Sequence, residues 1–133
     1  KVDMTTEEAQ ITNSTSVMLT TVAGDDYAIG YVSLGSLDDS VKALKIDGAE
    51  ATAENIKSGD YKVSRPFNIA TKTDMNNPTA EDFISFIMSQ EGQDVVAEEG
   101  YIPLDGAEAY AGDAPAGKVV VGGSSSVSPV MES

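Results

Sequence analysis

The order of apolar and polar residues predicts an α/β domain with a mixed, mostly parallel sheet and flanking helices. Three observations carry that expectation. Short runs rich in β-branched and aromatic residues recur at 28–34, 41–47, 61–71 and 118–121. Segments with helical spacing lie between them, at 5–24, 53–58 and 79–100. The joints carry glycine, Asp-Gly or Asn-Pro punctuation, the pattern of strands alternating with helices.

The first helical segment runs from Thr5 to Gly24, with Thr6 as cap, Glu7 and Glu8 in the first turn and Val17, Met18 and Val22 at helical spacing. Asn13-Ser14-Thr15 is a candidate break inside it. The same tripeptide is an N-glycosylation sequon, a pattern too common by chance to carry an argument alone. Ala28 to Leu34, bounded by Asp25-Asp26 and Gly35, reads as a buried strand. Val41 to Asp47 reads as a second, closed by the turn signal Asp47-Gly48.

Thr52 is placed to cap a short helix, Ala53 to Ser58, ended by Gly59. Val63, Phe67 and Ile69 have extended spacing within Tyr61 to Thr71, and Pro66 makes this an edge or bulged strand. After Asn77-Pro78, Thr79 reads as the cap of the most clearly patterned helix, whose apolar face is Phe83, Ile84, Phe86 and Ile87. Glu91-Gly92 marks a kink, and Gly100 ends the helix before extended Tyr101 to Leu104. The stretch "DGAEAYAGDAPAG", residues 105–117, is small and acidic and reads as a linker. Lys118 to Val121 is again strand-like, and "GGSSSVSP" follows. Three units result: residues 1–104, the linker 105–117, and 118–133, which looks like the opening strand, loop and helix start of a further unit.

Composition removes several function classes. The chain has 133 residues, 41% of them hydrophobic, enough for one core. Its 22 acidic against 8 basic side chains give a net charge of −14, so a nucleic-acid or anionic-membrane partner is disfavoured by repulsion. Cysteine is absent, which removes disulfides and thiolate metal sites. No apolar run reaches the roughly 20 residues of a membrane span, and Lys1-Val2-Asp3 does not open a leader peptide.

The serine-rich loop is the feature with most chemistry. Ser124, Ser125, Ser126 and Ser128 offer hydroxyls beside backbone amides, the uncharged donors that a dehydrated oxyanion requires. A strand followed by such a loop and a helix N-terminus is an anion-binding arrangement. A solvated serine tail accounts for the same residues. The Gly-Lys-Ser/Thr end of a nucleotide-binding loop is absent, as is a Gly-x-Ser-x-Gly elbow, and without histidine a serine triad cannot be assembled. The acidic pairs Asp25-Asp26, Asp38-Asp39 and Glu98-Glu99 lack the spacing of a calcium loop and read as solvated surface. Arg65, the single arginine, could clamp an anion but reads better as a surface ion-pair partner.

Four stretches carry a resemblance to a known family: "ITNSTSVMLTTVAGDDYAIGYVSLGSL", "VKALKIDGAEATAENIKSGDYKVSRPFNIATK", "TAEDFISFIMSQEGQDVVAEEGYIPL" and "GKVVVGGSSSVSPVME". They are similar to the substrate-binding protein of the bacterial phosphate ABC importer, the PstS family, in its Gram-positive form. The order differs from the usual one. In that family the strand and serine loop resembling 118–131 open the mature protein, whereas the remainder of this chain resembles its C-terminal portion. The resemblance therefore implies a periplasmic-binding-protein type II-like lobe, incomplete or permuted, and either a piece of a tandem-repeat protein or a deliberate permutant or fragment.

What the resemblance implies for function is a binding protein rather than an enzyme, without cofactor. It would capture inorganic phosphate outside the cytoplasmic membrane, anchored at the outer face in the parent protein, and deliver it to an ABC permease. Carried over by position, the phosphate contacts are Ser125 and Ser126, then the Val127 amide, with Ser124 and Ser128 in support. The family's second-lobe Arg and Gly-Ser-Gly-Thr-like turn, and a Ser and an Asp from the rest of the first lobe, have no counterpart here. Two further readings stay open: an assembly fragment that binds nothing until the remaining segments of the same protein are supplied, and a hydrolase completed by groups from another chain.

Overall fold

A computed structural model describes residues 5–133; Lys1-Val2-Asp3, read above as no leader, lies outside the described residues. Among the described residues five α-helices follow one another: α1 Thr15–Ala23, α2 Ala53–Ser58, α3 Pro78–Ile87, α4 Gln90–Glu98 and α5 Ser128–Glu132. Two 3-10 turns, Leu34–Ser36 and Ser125–Val127, complete the helical structure of the described residues.

The capping chemistry explains where each helix begins. The helix predicted from Thr5 starts ten residues later, at Thr15. Thr6 does receive a backbone amide, from Glu8 at 3.3 Å, but only a single turn forms there. Thr12 and Ser14 then divert the backbone: Ser14 N–H donates to the Thr12 hydroxyl, and the Ser14 hydroxyl accepts from Val17 N–H. Hydroxyls that compete for backbone partners favour caps over helix interiors. For α2 the expectation holds: Thr52 accepts from Asn55 N–H and Gly59 closes the helix in the left-handed conformation.

The cap of α3 is Asn77, not Thr79. Its side chain accepts from Ala80 N–H at 3.2 Å while Pro78 occupies the first turn, where a missing N–H costs nothing. The expected kink at Glu91-Gly92 is instead a complete break at Met88-Ser89. The Ser89 hydroxyl donates to Phe86 C=O at 2.7 Å and accepts from Gly92 N–H, so one side chain ends α3 and starts α4. Gly100 ends α4 as predicted, with Gly100 N–H bonded to Ala97 C=O and Tyr101 N–H to Val96 C=O. That doubly bonded cap fixes the direction in which Tyr101 leaves the helix.

The predicted sheet is the principal correction. Among the described residues no strand ladder forms. One antiparallel bridge, Ile46 with Ala49, closes the Asp47-Gly48 turn, where both residues have positive φ as that signal requires. Residues 28–33, 61–71 and 118–121 belong to no helix or strand, and Val41 to Asp47 forms no strand either. Nor is 28–34 buried: Ile29 is 81% and Tyr31 94% exposed. The apolar patterning was read as strands, yet a strand needs a partner at hydrogen-bonding distance as well as β-branched residues, and no ladder joins these segments.

Buried side chains are correspondingly few. Tyr101 is the buried hydrophobic residue among those described, joined by Ser89 and Gln93. Gln93 is satisfied on both sides, donating to Ile87 C=O and accepting from Leu104 N–H, and so ties the end of α3 to the 101–104 segment. Phe86 packs edge-on against Tyr110, and Phe67 edge-on against Tyr101. Arg65 lies over the Phe67 ring, 5.0 Å from its centre, rather than in an ion pair. The ion pairs Lys45–Glu50, Lys57–Asp105, Lys62–Asp47 and Lys72–Asp74 are exposed and contribute little.

The acidic segment 105–117 is strapped to the helices. Gln90 N–H donates to Glu108 C=O at 2.7 Å, Tyr110 N–H donates to the Glu91 carboxylate at 2.7 Å, and the Tyr110 hydroxyl donates to Asp82. Asn77 Nδ2 then reaches Lys118 C=O at 3.3 Å. These contacts carry the chain along α3 and deliver 118–121 to its N-terminal end.

Two outcomes test this packing. Gly92 lies where α4 presses on the last carbonyls of α3, and a Cβ there would strike the backbone of Phe86 and Ile87. Gly92→Ala should therefore lower unfolding free energy by about 1–3 kcal/mol in urea denaturation; a gain, as at an open helical site, contradicts the packing. The strap sets the second. Its hydrogen bond to Asp82 raises the Tyr110 pKa, and the bond from Tyr110 N–H lowers that of Glu91. A raised acid contributes stability below its unfolded pKa and loses it as pH rises through the folded one; a lowered carboxyl loses it as pH falls. Tyrosinate absorbance should therefore show a step above the usual tyrosine range that Tyr110→Phe removes. An unchanged titration in that variant would place the phenol in solvent.

Candidate functional site

The serine loop begins where the extended residues 118–121 give way to Gly122-Gly123. Ser124 is extended and caps the following turn: its hydroxyl accepts from Ser126 N–H at 3.2 Å, and its carbonyl accepts from Val127 N–H at 3.1 Å. Ser125, Ser126 and Val127 form one 3-10 turn, and Ser128 N–H bonds back to Ser125 C=O as the chain enters α5 with Pro129 in its first turn. The predicted sequence of loop and helix start is thus realised, although the helix here is only Ser128–Glu132.

Each of the five residues has a defined place. The Ser124 hydroxyl is engaged as the cap, and the Ser126 and Val127 amides are engaged within the turn. The Ser125 hydroxyl donates to Asn13 C=O at 3.3 Å and lies 3.1 Å from the Thr15 hydroxyl. Because a hydroxyl has one proton, Thr15 is then the donor in the second contact. The Ser125 amide and the hydroxyls of Ser126 and Ser128 make no hydrogen bond within the described residues and are the free donors of the loop. Ser125 is exposed and Ser126 half-buried.

Two segments that the sequence did not connect with this loop hold it. The first is Asn13-Ser14-Thr15, weighed above only as a sequon and a helix break. The second is Tyr101, whose hydroxyl donates to Ser126 C=O at 2.7 Å and meets the Ser36 hydroxyl at 3.2 Å. Neither was legible, since the partners lie 110 and 25 positions apart in the chain. Arg65 contacts Phe67 and takes no part in the loop's hydrogen bonds.

Surface shape and charge narrow the chemistry further. One hollow of about 570 Å³ is lined by charged residues around Lys45, Asp47 and Lys62, and another of about 460 Å³ by Phe83, Phe86, Tyr110 and Val119. Neither includes a loop serine. No group of three or more potential metal ligands exists among the described residues, and no described helix is long and apolar enough to cross a membrane. What the loop presents is a small set of neutral donors on an exposed turn.

Comparison with known proteins supplies the setting. The PBP superfamily domain matches residues 2–91. The chain belongs to the PBP superfamily. Within it, the resemblance to the PstS family is borne out by relatives along almost the whole sequence. The phosphate-binding protein PstS 2 of Streptococcus agalactiae is 61% identical over 132 residues, covering 99% of this chain and 45% of that protein. Its namesake from Streptococcus pneumoniae is 44% identical over 133 residues, again covering 99% and 45%.

Solved structures agree. A phosphate ABC transporter phosphate-binding protein from Streptococcus pneumoniae superposes with TM-score 0.72 at 44% identity, over 98% of this chain and 51% of its own. A protein from Clostridium perfringens, described as a phosphate ABC transporter substrate-binding protein with bound phosphate, gives 0.71 at 44% identity over 75% and 41%. The chain thus spans about half the length of the relatives it matches. The similarity takes in the serine loop at its far end, so the order of segments is one these relatives share.

Proposed function

We propose that this chain supplies one wall of a phosphate-binding site in an extracytoplasmic solute-binding protein that serves an ABC importer. The observation that carries the reading is the pre-shaped 3-10 turn at Ser125–Val127, with the Ser125 amide and Ser126 hydroxyl free to donate. Its setting in a chain 61% identical to a phosphate-binding protein supports phosphate as the ligand. The Ser125 hydroxyl joins them by turning its proton from Asn13 C=O toward the anion. Ser124 acts by shaping the turn, and Ser128 lies at the start of the short helix behind it.

Neutral donors suit this chain. With a net charge of −14 it repels anions at long range, so capture depends on short-range geometry. An unfilled donor set penalises anions that fail to match it. The role is binding and delivery, not catalysis, and the permease is the partner that receives the ligand.

A second reading rests on a separate observation. The extended segments carry exposed Ile29, Tyr31, Val63, Ile69 and Val120, an arrangement suited to strands that pair with further segments of the same protein. On that reading the remaining half of the site arrives with those segments, and this chain alone holds the anion weakly.

Amide-resolved NMR of the 133-residue chain distinguishes these readings. On addition of inorganic phosphate, the Ser125, Ser126 and Val127 amides should shift together and saturate in the millimolar range, with a smaller response to sulfate. Ser125→Ala should weaken the response roughly tenfold, the loss of a hydrogen bond to a charged group. Shifts spread over the lysine-bearing surface, or none, would contradict a phosphate wall in this loop and leave the assembly reading.

A further inference from the structure

We propose that Tyr101 is the positioning residue of the serine loop: it locks the Ser126–Val127 peptide in the plane that aims the free donors outward. The proposal rests on the reading of the loop as a phosphate site, and extends it to a residue that touches no anion itself.

The geometry is directional. The Tyr101 hydroxyl has one proton, and it goes to Ser126 C=O at 2.7 Å. The Ser36 hydroxyl, 3.2 Å away, must then donate to the phenol oxygen. A Ser36–Tyr101–Ser126 chain of hydrogen bonds results, in which each donor reinforces the next. Because the peptide is planar, fixing the Ser126 carbonyl also fixes the Val127 N–H, which closes the turn on Ser124 C=O. Rotation of that peptide would open the turn and scatter the Ser125 amide and Ser126 hydroxyl.

The phenol can act in this way because the ring is immobile. Tyr101 is 7% exposed, leaves α4 through the two-bond cap at Gly100, and packs against Phe67 at 5.8 Å between ring centres. Gly35 also lies against the ring, where a Cβ would collide with Cε2 and Cδ2. The loop is therefore referenced to the 34–36 turn and to α4 through one side chain. The contact of Ser125 with Thr15 and Asn13, by contrast, is exposed and water can replace it.

Tyr101→Phe keeps the ring and removes only the proton donor. In the full chain, hydrogen exchange at the Val127 amide should quicken about tenfold, and the dissociation constant for inorganic phosphate should rise about tenfold, in line with one lost hydrogen bond. Tyr110→Phe loses a phenol of the same kind in the strap and should leave both readouts unchanged while lowering the melting temperature. Ser36→Ala, a gentler change, should move both in the direction of Tyr101→Phe and by less. Unaltered Val127 exchange in Tyr101→Phe overturns the positioning role whether or not phosphate binds. Quickened exchange with an unchanged phosphate constant overturns the link from positioning to binding. If the unmodified chain binds no phosphate, the reading of the loop as a phosphate site fails, and the exchange measurement still decides what Tyr101 does.

Discussion

The hydrogen bond from Tyr101 to the Ser126 carbonyl ties the serine turn to the end of α4 and, through the Ser36 hydroxyl, to the 34–36 turn. With one hydrophobic side chain buried among the described residues, apolar burial cannot by itself hold the serine turn in place. Directional polar contacts do the holding. Gln93 ties the end of α3 to 101–104, Ser89 joins α3 to α4, the Gly100 cap aims Tyr101, and Tyr101 fixes the turn. Each is one hydrogen bond or a pair of them between defined groups. The arrangement is specific because a misplaced turn leaves several polar groups without partners.

A protein that is strongly acidic and nonetheless suited to an anion needs its attraction to be local. On the proposed function the loop meets that need with backbone and hydroxyl dipoles, which act within hydrogen-bond distance and add nothing to the long-range field. The acidic side chains are used elsewhere. Glu91 and Asp82 hold the strap through Tyr110, and Asp38 accepts from the Ser40 hydroxyl and amide in a turn of its own, which lowers its pKa. Negative charge here fastens segments together, while the serine turn carries neutral donors.

Much of the local structure was legible from sequence because its causes are local. Thr52 and Gly59 bracket α2, Gly100 ends α4, and Asp47-Gly48 forms its turn, each through a bond spanning a few residues. The errors at Thr79 and Gly92 arose where two caps competed: Asn77 with Pro78 outranked Thr79, and Ser89 interrupted a pattern that periodicity alone would continue. The sheet was not legible in the same sense. β-branched runs favour extended backbone, but pairing is a property of two segments and cannot be read from either alone. The serine loop was found by its composition, whereas Tyr101 and Asn13-Ser14-Thr15 come to it only through folding. The "linker" read from small residues contains one tyrosine, and that residue fastens it.

The most direct measurement is a crystal structure of the chain grown with inorganic phosphate. The account predicts a tetrahedral anion within hydrogen-bond distance of the Ser125 amide, the Ser125 hydroxyl and the Ser126 hydroxyl. It also predicts that the 3-10 turn stays unmoved and that Tyr101 still bonds Ser126 C=O. An anion seated at the lysines around the Asp47 turn instead, or a serine loop that must unwind from Tyr101 to reach it, would contradict the claim that this turn is built in advance to hold phosphate.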